Sequence, residues 1–247
     1  MNFNGQCDKL VEILGSNAGM SLIRLQRDEM EDNATAILAN GVAGVANIIT
    51  KLARNDIKNA VNVLNRNTAT KFLPMTEGSD RVGTSPMRDS YWGICHVDVE
   101  EDIRDMTGFI AVESYASQTA VSPGEFGAVG GVRWISTEES SIDANAGAAI
   151  GASGLRSTGG VNIDVYNSVV FGKDAVGSLG FGKEHIKEIY TAGDKLPSVL
   201  LINKARGSSG VADPLNELST MGWKSWHGAK ILNGNWIRNI KSGATAL

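Results

Sequence analysis

The apolar period of this chain changes near Ser90, and that change restricts the fold more than any other feature. Before it, apolar residues recur at helical spacing. Cys7, Leu10, Val11 and Leu14 fall at i, i+3, i+4 and i+7, a stripe expected to stop at Gly15. A second helix is expected over Met20 to Leu38, where Leu22, Ile23, Met30 and Ala34 recur unevenly. The run "NDIKNAVNVLNRN" is clearer: Ile57, Ala60, Val61 and Leu64 form one apolar face, with Asn55 or Asp56 as its cap. After Ser90 the pattern shortens. "YWGICHV" reads as a mostly buried strand and "DVEEDIRDM" as a short helix, with Asp98 and Glu101 in capping-box spacing. "FIAVESY" and "GVRWIS" read as strands, and Val161, Ile163 and Val165 alternate with Asn162 and Asp164 as a half-buried strand does. Helices first and strands later give an α+β fold class.

Two glycine-rich stretches interrupt this pattern. In "SPGEFGAVGGVRWISTEES", Ser122 to Ser140, four glycines stand beside a Glu and an Arg before an apolar run. From Ala144 to Gly160, Gly, Ala or Ser fills 12 of 17 positions, which predicts a mobile loop with too little apolar surface to offset its ordering entropy. The C-terminal "GWKSWHGAKILNGNWIRNIKSG" suits either type: Ala229, Leu232, Trp236 and Ile240 fit a helix, while its tryptophans fit strands.

Composition excludes several classes. The longest apolar runs, such as Val199 to Ile202, are far shorter than the roughly 20 residues of a membrane span. No basic n-region precedes an apolar stretch at the start, so no export signal is expected. A net charge of −4 with scattered Lys and Arg argues against nucleic-acid affinity through phosphate neutralisation. Cys7 and Cys95 are expected as buried, reduced thiols.

Chemistry-bearing motifs fail on inspection. "GSLGFGK", Gly177 to Lys183, matches part of a P-loop, but Glu184 stands where a hydroxyl should hold magnesium. "GASGL" lacks the second glycine of a nucleophile elbow, Leu155 occupying its place. His96, His185 and His227 are widely separated, and Cys95 with His96 and Asp98 has no second cluster to complete a metal site. Capping and the helix dipole account for Asp98, Glu100 and Glu101, and Asp102 and Asp105 read as a solvated face. No catalytic, cofactor-binding or metal residue is assigned, and no cofactor is expected.

Four blocks in order resemble the major capsid proteins of tailed bacteriophages, specifically the N4-like family. Gly124, Glu125, Phe126, Gly127, Gly131, Val132 and Arg133 resemble that family's "GE-I/F-G-x-x-x-GVR" segment. Upstream, His96, Asp98, Asp102, Ile103, Arg104, Gly108, Phe109, Val112 and Tyr115 resemble its "H-x-D…DIR…GF…V…Y" block. Downstream, "DVYNSVVFGKDAVGSLGF" and "DPLNELSTMGWKSWHGAKILNGNWIRNIKSGA" resemble two more, so the blocks cover Cys95 to Ala244.

The resemblance implies an HK97-like capsid fold: residues 1–45 as the P-domain spine-helix region, 46–205 as the A-domain, and 206–247 as the return to the P-domain sheet. It favours strands for the C-terminal segment. It implies glycines with positive φ at Gly124, Gly127 and Gly130-Gly131, and an ion pair of Glu125 with Arg133, within a subunit or across subunits. It implies a structural protein and not an enzyme, assembled in the bacterial host cytoplasm into hexamers and pentamers of a virion shell. Its partners would be copies of itself, portal and scaffolding or decoration proteins, and packaged DNA without sequence-specific contact; no membrane is involved. The family's N-terminal arm and extended loop have no counterpart here, which leaves three expectations: a second polypeptide supplies them, the chain is a shortened form, or the architecture differs. Two other readings stay open: an encapsulin-like compartment shell, and a nucleotide-binding α/β protein using the loop near Lys183.

Overall fold

The structure is a computed structural model that describes residues 3–72, 88–115, 122–179, 200–204, 215, 220–224 and 228–246. In chain order its main elements are α1 (Phe3–Asn33), β1 (Thr35–Leu38), α2 (Arg54–Arg66), β2 (Tyr91–His96), α3 (Val97–Arg104) and β3 (Ile110–Ala111). There follow β4 (Glu125–Val129), β5 (Val132–Thr137), β6 (Ile142–Asp143), β7 (Val165–Phe171) and β8 (Val176–Leu179). The last are β9 (Leu200–Lys204), β10 (Thr220–Lys224), β11 (Gly228–Ile231) and β12 (Ile237–Ser242). The chain divides into two compact units, Met1–Gln26 with Ser178–Ala229, and Arg27–Gly177 with Lys230–Leu247. In the first, β9 and β10 pair antiparallel, Thr220 opposite Lys204 and Lys224 opposite Leu200.

The second unit holds a mixed sheet ordered β1-β12-β7-β2-β5-β4-β3, with β6 added beside β7. β1 runs parallel to β12 and β2 parallel to β5, while β12, β2 and β6 all meet β7 antiparallel. One sheet face carries the larger core. Ile57, Ala60 and Leu64 of α2 and Val99 and Ile103 of α3 pack there against Tyr91, Trp134, Tyr166, Val170 and Ile240. Met30, near the end of α1, packs with Ala34, Val169, Ala175 and Ile237 in a second, smaller cluster.

Burial on both faces explains a misreading. The half-buried strand expected within Val161 to Phe171 begins only at Val165, and Val165–Val170 are all buried. Tyr166 and Val170 join the larger cluster and Val169 the smaller, so the strand carries no polar face to alternate. Asn167 is buried as well because its amide donates to Ser141 Oγ at 2.9 Å and its oxygen accepts from Asn239 at 2.8 Å. Glu31 completes this polar patch by accepting from Ser140 Oγ at 2.9 Å and the Ser141 N–H at 3.2 Å. Burial nonetheless holds the Glu31 carboxyl above its ordinary range.

Several other expectations are corrected. The first helix does not stop at Gly15: α1 continues to Asn33, replacing the two expected helices, and β1 occupies Thr35–Leu38. An interior glycine costs about 1 kcal/mol, which weakens a long helix without breaking it. The cap of α2 is Ala53, not Asn55 or Asp56. Asp56 is the third helical residue and reaches back, accepting the N–H groups of Ala53 and Asn40, each at 3.1 Å. Only Ile110–Ala111 of "FIAVESY" is strand; Val112–Ser114 makes a 3-10 turn that delivers Tyr115 to the interior. The C-terminal segment is strand in β10, β11 and β12.

The stretch Ala144 to Gly160 is pinned where composition predicted a mobile loop with too little apolar surface to order it. Gly147 N–H donates to Ile163 O at 2.9 Å, Ala148 N–H to Ile48 O at 3.1 Å, and Arg156 N–H to Ala244 O at 2.8 Å. The Asp164 carboxylate, 1% exposed, accepts from Asn145 N–H at 2.8 Å and from Thr158 Oγ1 at 2.7 Å. Leu155 is buried among these bonds. Hydrogen bonds from flanking segments replace the apolar contacts that its own residues lack.

Candidate functional site

The signature stretch forms the β4–β5 hairpin, and its charged residues turn inward. A register shift between Glu125 and Gly127 marks a bulge in β4. The Glu125 and Arg133 side chains are 0% and 3% exposed, with Arg133 Nη1 3.8 Å from Glu125 Oε1. Tyr115 O–H donates to that oxygen at 2.9 Å, and the Arg133 guanidinium lies 5.1 Å from the centre of the Tyr115 ring. The pair therefore closes within one subunit. Burial, then the Glu125 charge, push the Tyr115 hydroxyl well above its ordinary pKa, so it stays a donor. A buried pair of this kind fixes geometry more than it adds stability, because desolvation offsets the attraction.

Gly124, Gly130 and Gly131 take positive φ of 80°, 67° and 89°, as turns require. Gly127 does not, and here the expectation is corrected. Its role is close approach: a Cβ there would overlap the Phe109 ring and lie 2.7 Å from Ile110 O.

A second group of charges ties α3 to distant segments. His96 caps α3, its Nδ1 accepting the Asp98 N–H at 3.1 Å, where Asp98 was expected as cap. The imidazole at the end of β2 already occupies the capping position, which frees the Asp98 carboxylate. That carboxylate accepts from Arg156 Nη1 at 2.6 Å and Tyr166 O–H at 2.9 Å. Asp102, expected on a solvated face, is 4% exposed. It accepts from Lys51 Nζ at 3.0 Å, Thr245 N–H at 2.9 Å and Thr245 Oγ1 at 2.6 Å, and so fastens residue 245 to the helix. Burial lowers the His96 pKa against the pull of Asp98. Burial also pushes the buried Cys95 thiol up, which suppresses its reactive thiolate.

None of this assembles a catalytic constellation. Among the described residues, no group of three or more His, Cys, Asp or Glu could hold a metal ion. His185, His227 and the Cys7 side chain lie outside the described residues, as does the P-loop look-alike beyond Leu179. No described helix is long and apolar enough to cross a membrane.

A feature absent from the sequence reading is a basic cleft. Arg54 and Lys58 of α2, Lys71, and Arg88 with Asp89 and Ser90 before β2 meet the β4–β5 turn around a volume of about 630 Å³. The cations come from separate segments, so no run of Lys or Arg betrays them. The i, i+4 spacing of Arg54 and Lys58 was the one available hint.

No protein-family model matches this chain, and no curated protein matches it. Among solved structures it is similar to the capsid of Ralstonia phage GP4, at 15% identity and a TM-score of 0.48 over 86% of this chain and 50% of that one. It is also similar to the capsid of cyanophage P-SCSP1u, at 16% identity and a TM-score of 0.39 over 86% of this chain and 54% of that one. The chain spans about half the length of either.

Proposed function

We propose that this chain is a structural subunit of a tailed-bacteriophage head, an N4-like major capsid protein of HK97-like fold whose copies close an icosahedral shell around double-stranded DNA. Support comes from the residues, not from the remote likeness to two capsids. The four ordered blocks carry the resemblance, and one observation favours a structural role for them. Glu125, Arg133 and Asp102, charges in two of the blocks, are buried and partnered within their own chain, and Asp98 is bonded to Arg156 and Tyr166 of the same chain. Charge used this way holds a rigid building block in shape, and a subunit that meets copies of itself needs fixed complementary surfaces.

On this reading residues 1–45 serve as the spine-helix region, 46–205 as the A-domain and 206–247 as the return to the P-domain sheet. The protein works in the virion without catalysis. Its partners are its own copies in hexamers and pentamers, with portal and scaffolding or decoration proteins. Negative-stain electron microscopy of the purified chain, with its sedimentation profile, tests this. Uniform shells, hexamers or pentamers are expected. A monodisperse monomer at every concentration tested would sink the proposal.

A further inference from the structure

The basic cleft stands out in a chain whose net charge is −4. Four cationic side chains and one carboxylate line it. Asp89 is taken by Lys71, whose Nζ lies 2.9 Å away. Arg54, Lys58 and Arg88 make no ion pair with another described residue. Like charges gathered this way repel one another unless an anion sits among them.

Hydrogen-bonding groups in the wall point to the same ligand class. Ser90 is 2% exposed, and its buried Oγ has no hydrogen-bond partner. Arg54 Nε is buried and without a partner too. Both are donors left unpaired, so the wall beside the cations carries spare donor capacity. At the β4–β5 turn, Gly130 and Gly131 hold positive φ and place no side chain in the way. A single carboxylate would neutralise one of these cations and leave most of a 630 Å³ space empty.

We propose that this cleft binds a phosphate-bearing anion, with Arg54, Lys58 and Arg88 as the charge partners. The shared chemistry is the phosphate oxyanion, whether it arrives as a small polyphosphate or as the phosphodiester backbone of a nucleic acid strand. The assignment rests on the cleft alone and holds whether or not the chain builds shells.

Isothermal titration calorimetry of the full chain with sodium tripolyphosphate at low salt provides the test. Saturable binding is expected, with a thermal unfolding midpoint that rises with tripolyphosphate concentration. Lys58→Gln and Arg88→Gln, both at exposed positions, should each weaken binding by roughly tenfold, the scale of one charge-assisted hydrogen bond. Lys173→Gln, an exposed lysine outside the cleft, should leave it unchanged. A short oligothymidylate that binds with the same sensitivity and displaces tripolyphosphate would identify the phosphodiester source; failure to displace would identify the small polyphosphate. Absence of saturable tripolyphosphate binding would overturn the proposal. So would equal weakening by Lys173→Gln, or equally tight binding of a poly-glutamate peptide.

Discussion

Two glycine-rich regions of this chain, the β4–β5 hairpin and the segment 144–160, reach order by opposite means. In the hairpin, glycine is a vacancy that a neighbour fills. Phe109 occupies the space beside Gly127, and a Cβ at Gly130 would lie 2.9 Å from Ile57 Cγ2 of α2. In the segment, Gly151, Gly154 and Gly160 face open space, with nothing within 4 Å of a would-be Cβ, and the close neighbours of Gly147 and Gly159 are mainly polar: the Ile163 and Ile48 carbonyls and the Asn145 amide. What holds it is Asp164 and the carbonyls of Ile48, Ile163 and Ala244. Glycine content alone therefore says little about order. What matters is whether the backbone is approached by side chains or bonded by polar groups.

Substitution separates the two cases. Gly127→Ala should be the most damaging change, about 3 kcal/mol or more in denaturant unfolding, because one obstacle is the Ile110 backbone. Asp164→Ala should follow at roughly 2 kcal/mol, since it leaves the N–H groups of Asn145 and Thr158 without their acceptor. Gly151→Ala meets no atom and bears only the strain of a φ of 48°, so a loss of about 1 kcal/mol is expected. Equal losses at Gly127 and Gly151 would break the contrast.

The smallest effect is a proton. Burial keeps His96 neutral in the fold at a pH where the unfolded chain, with an ordinary value near about 6.5, already binds one. Its contribution to stability is thus full above that pH and is lost as pH falls toward the depressed folded value. The charge of Arg156 adds to the depression. Arg156→Met should raise the His96 pKa in an NMR titration and shrink the acid-induced loss. An unmoved pKa would mean that the segment does not hold Arg156 beside α3.

Some elements were legible in the sequence. The α2 stripe matches its expected position because burial on one side leaves a period to read, and the β2 and β5 runs match theirs because short apolar and aromatic runs bounded by turns mark a strand. β7 was blurred because both its faces are covered, and buried Asn167 looks like a surface residue until Asn239 and Ser141 are placed beside it. Asp102 was misassigned for the same reason, its partners Lys51 and Thr245 being remote in sequence. The Glu125–Arg133 pairing could be posed from spacing, but only the 3-10 turn that delivers Tyr115 shows why it closes inside one subunit. The cleft was invisible, since convergence of four cations depends on tertiary placement.

The parallel pairing of β1 with β12 sets a schedule. Thr35 must wait for Arg238, and β7 waits for the same strand on its other side. During translation, then, two strand edges remain unpartnered until residue 242 has cleared the ribosome, with residues 178–229 made in between. Such delayed closure slows folding and leaves exposed edges through which one nascent chain can join another. Those edges must stay apart from other nascent chains until β12 arrives.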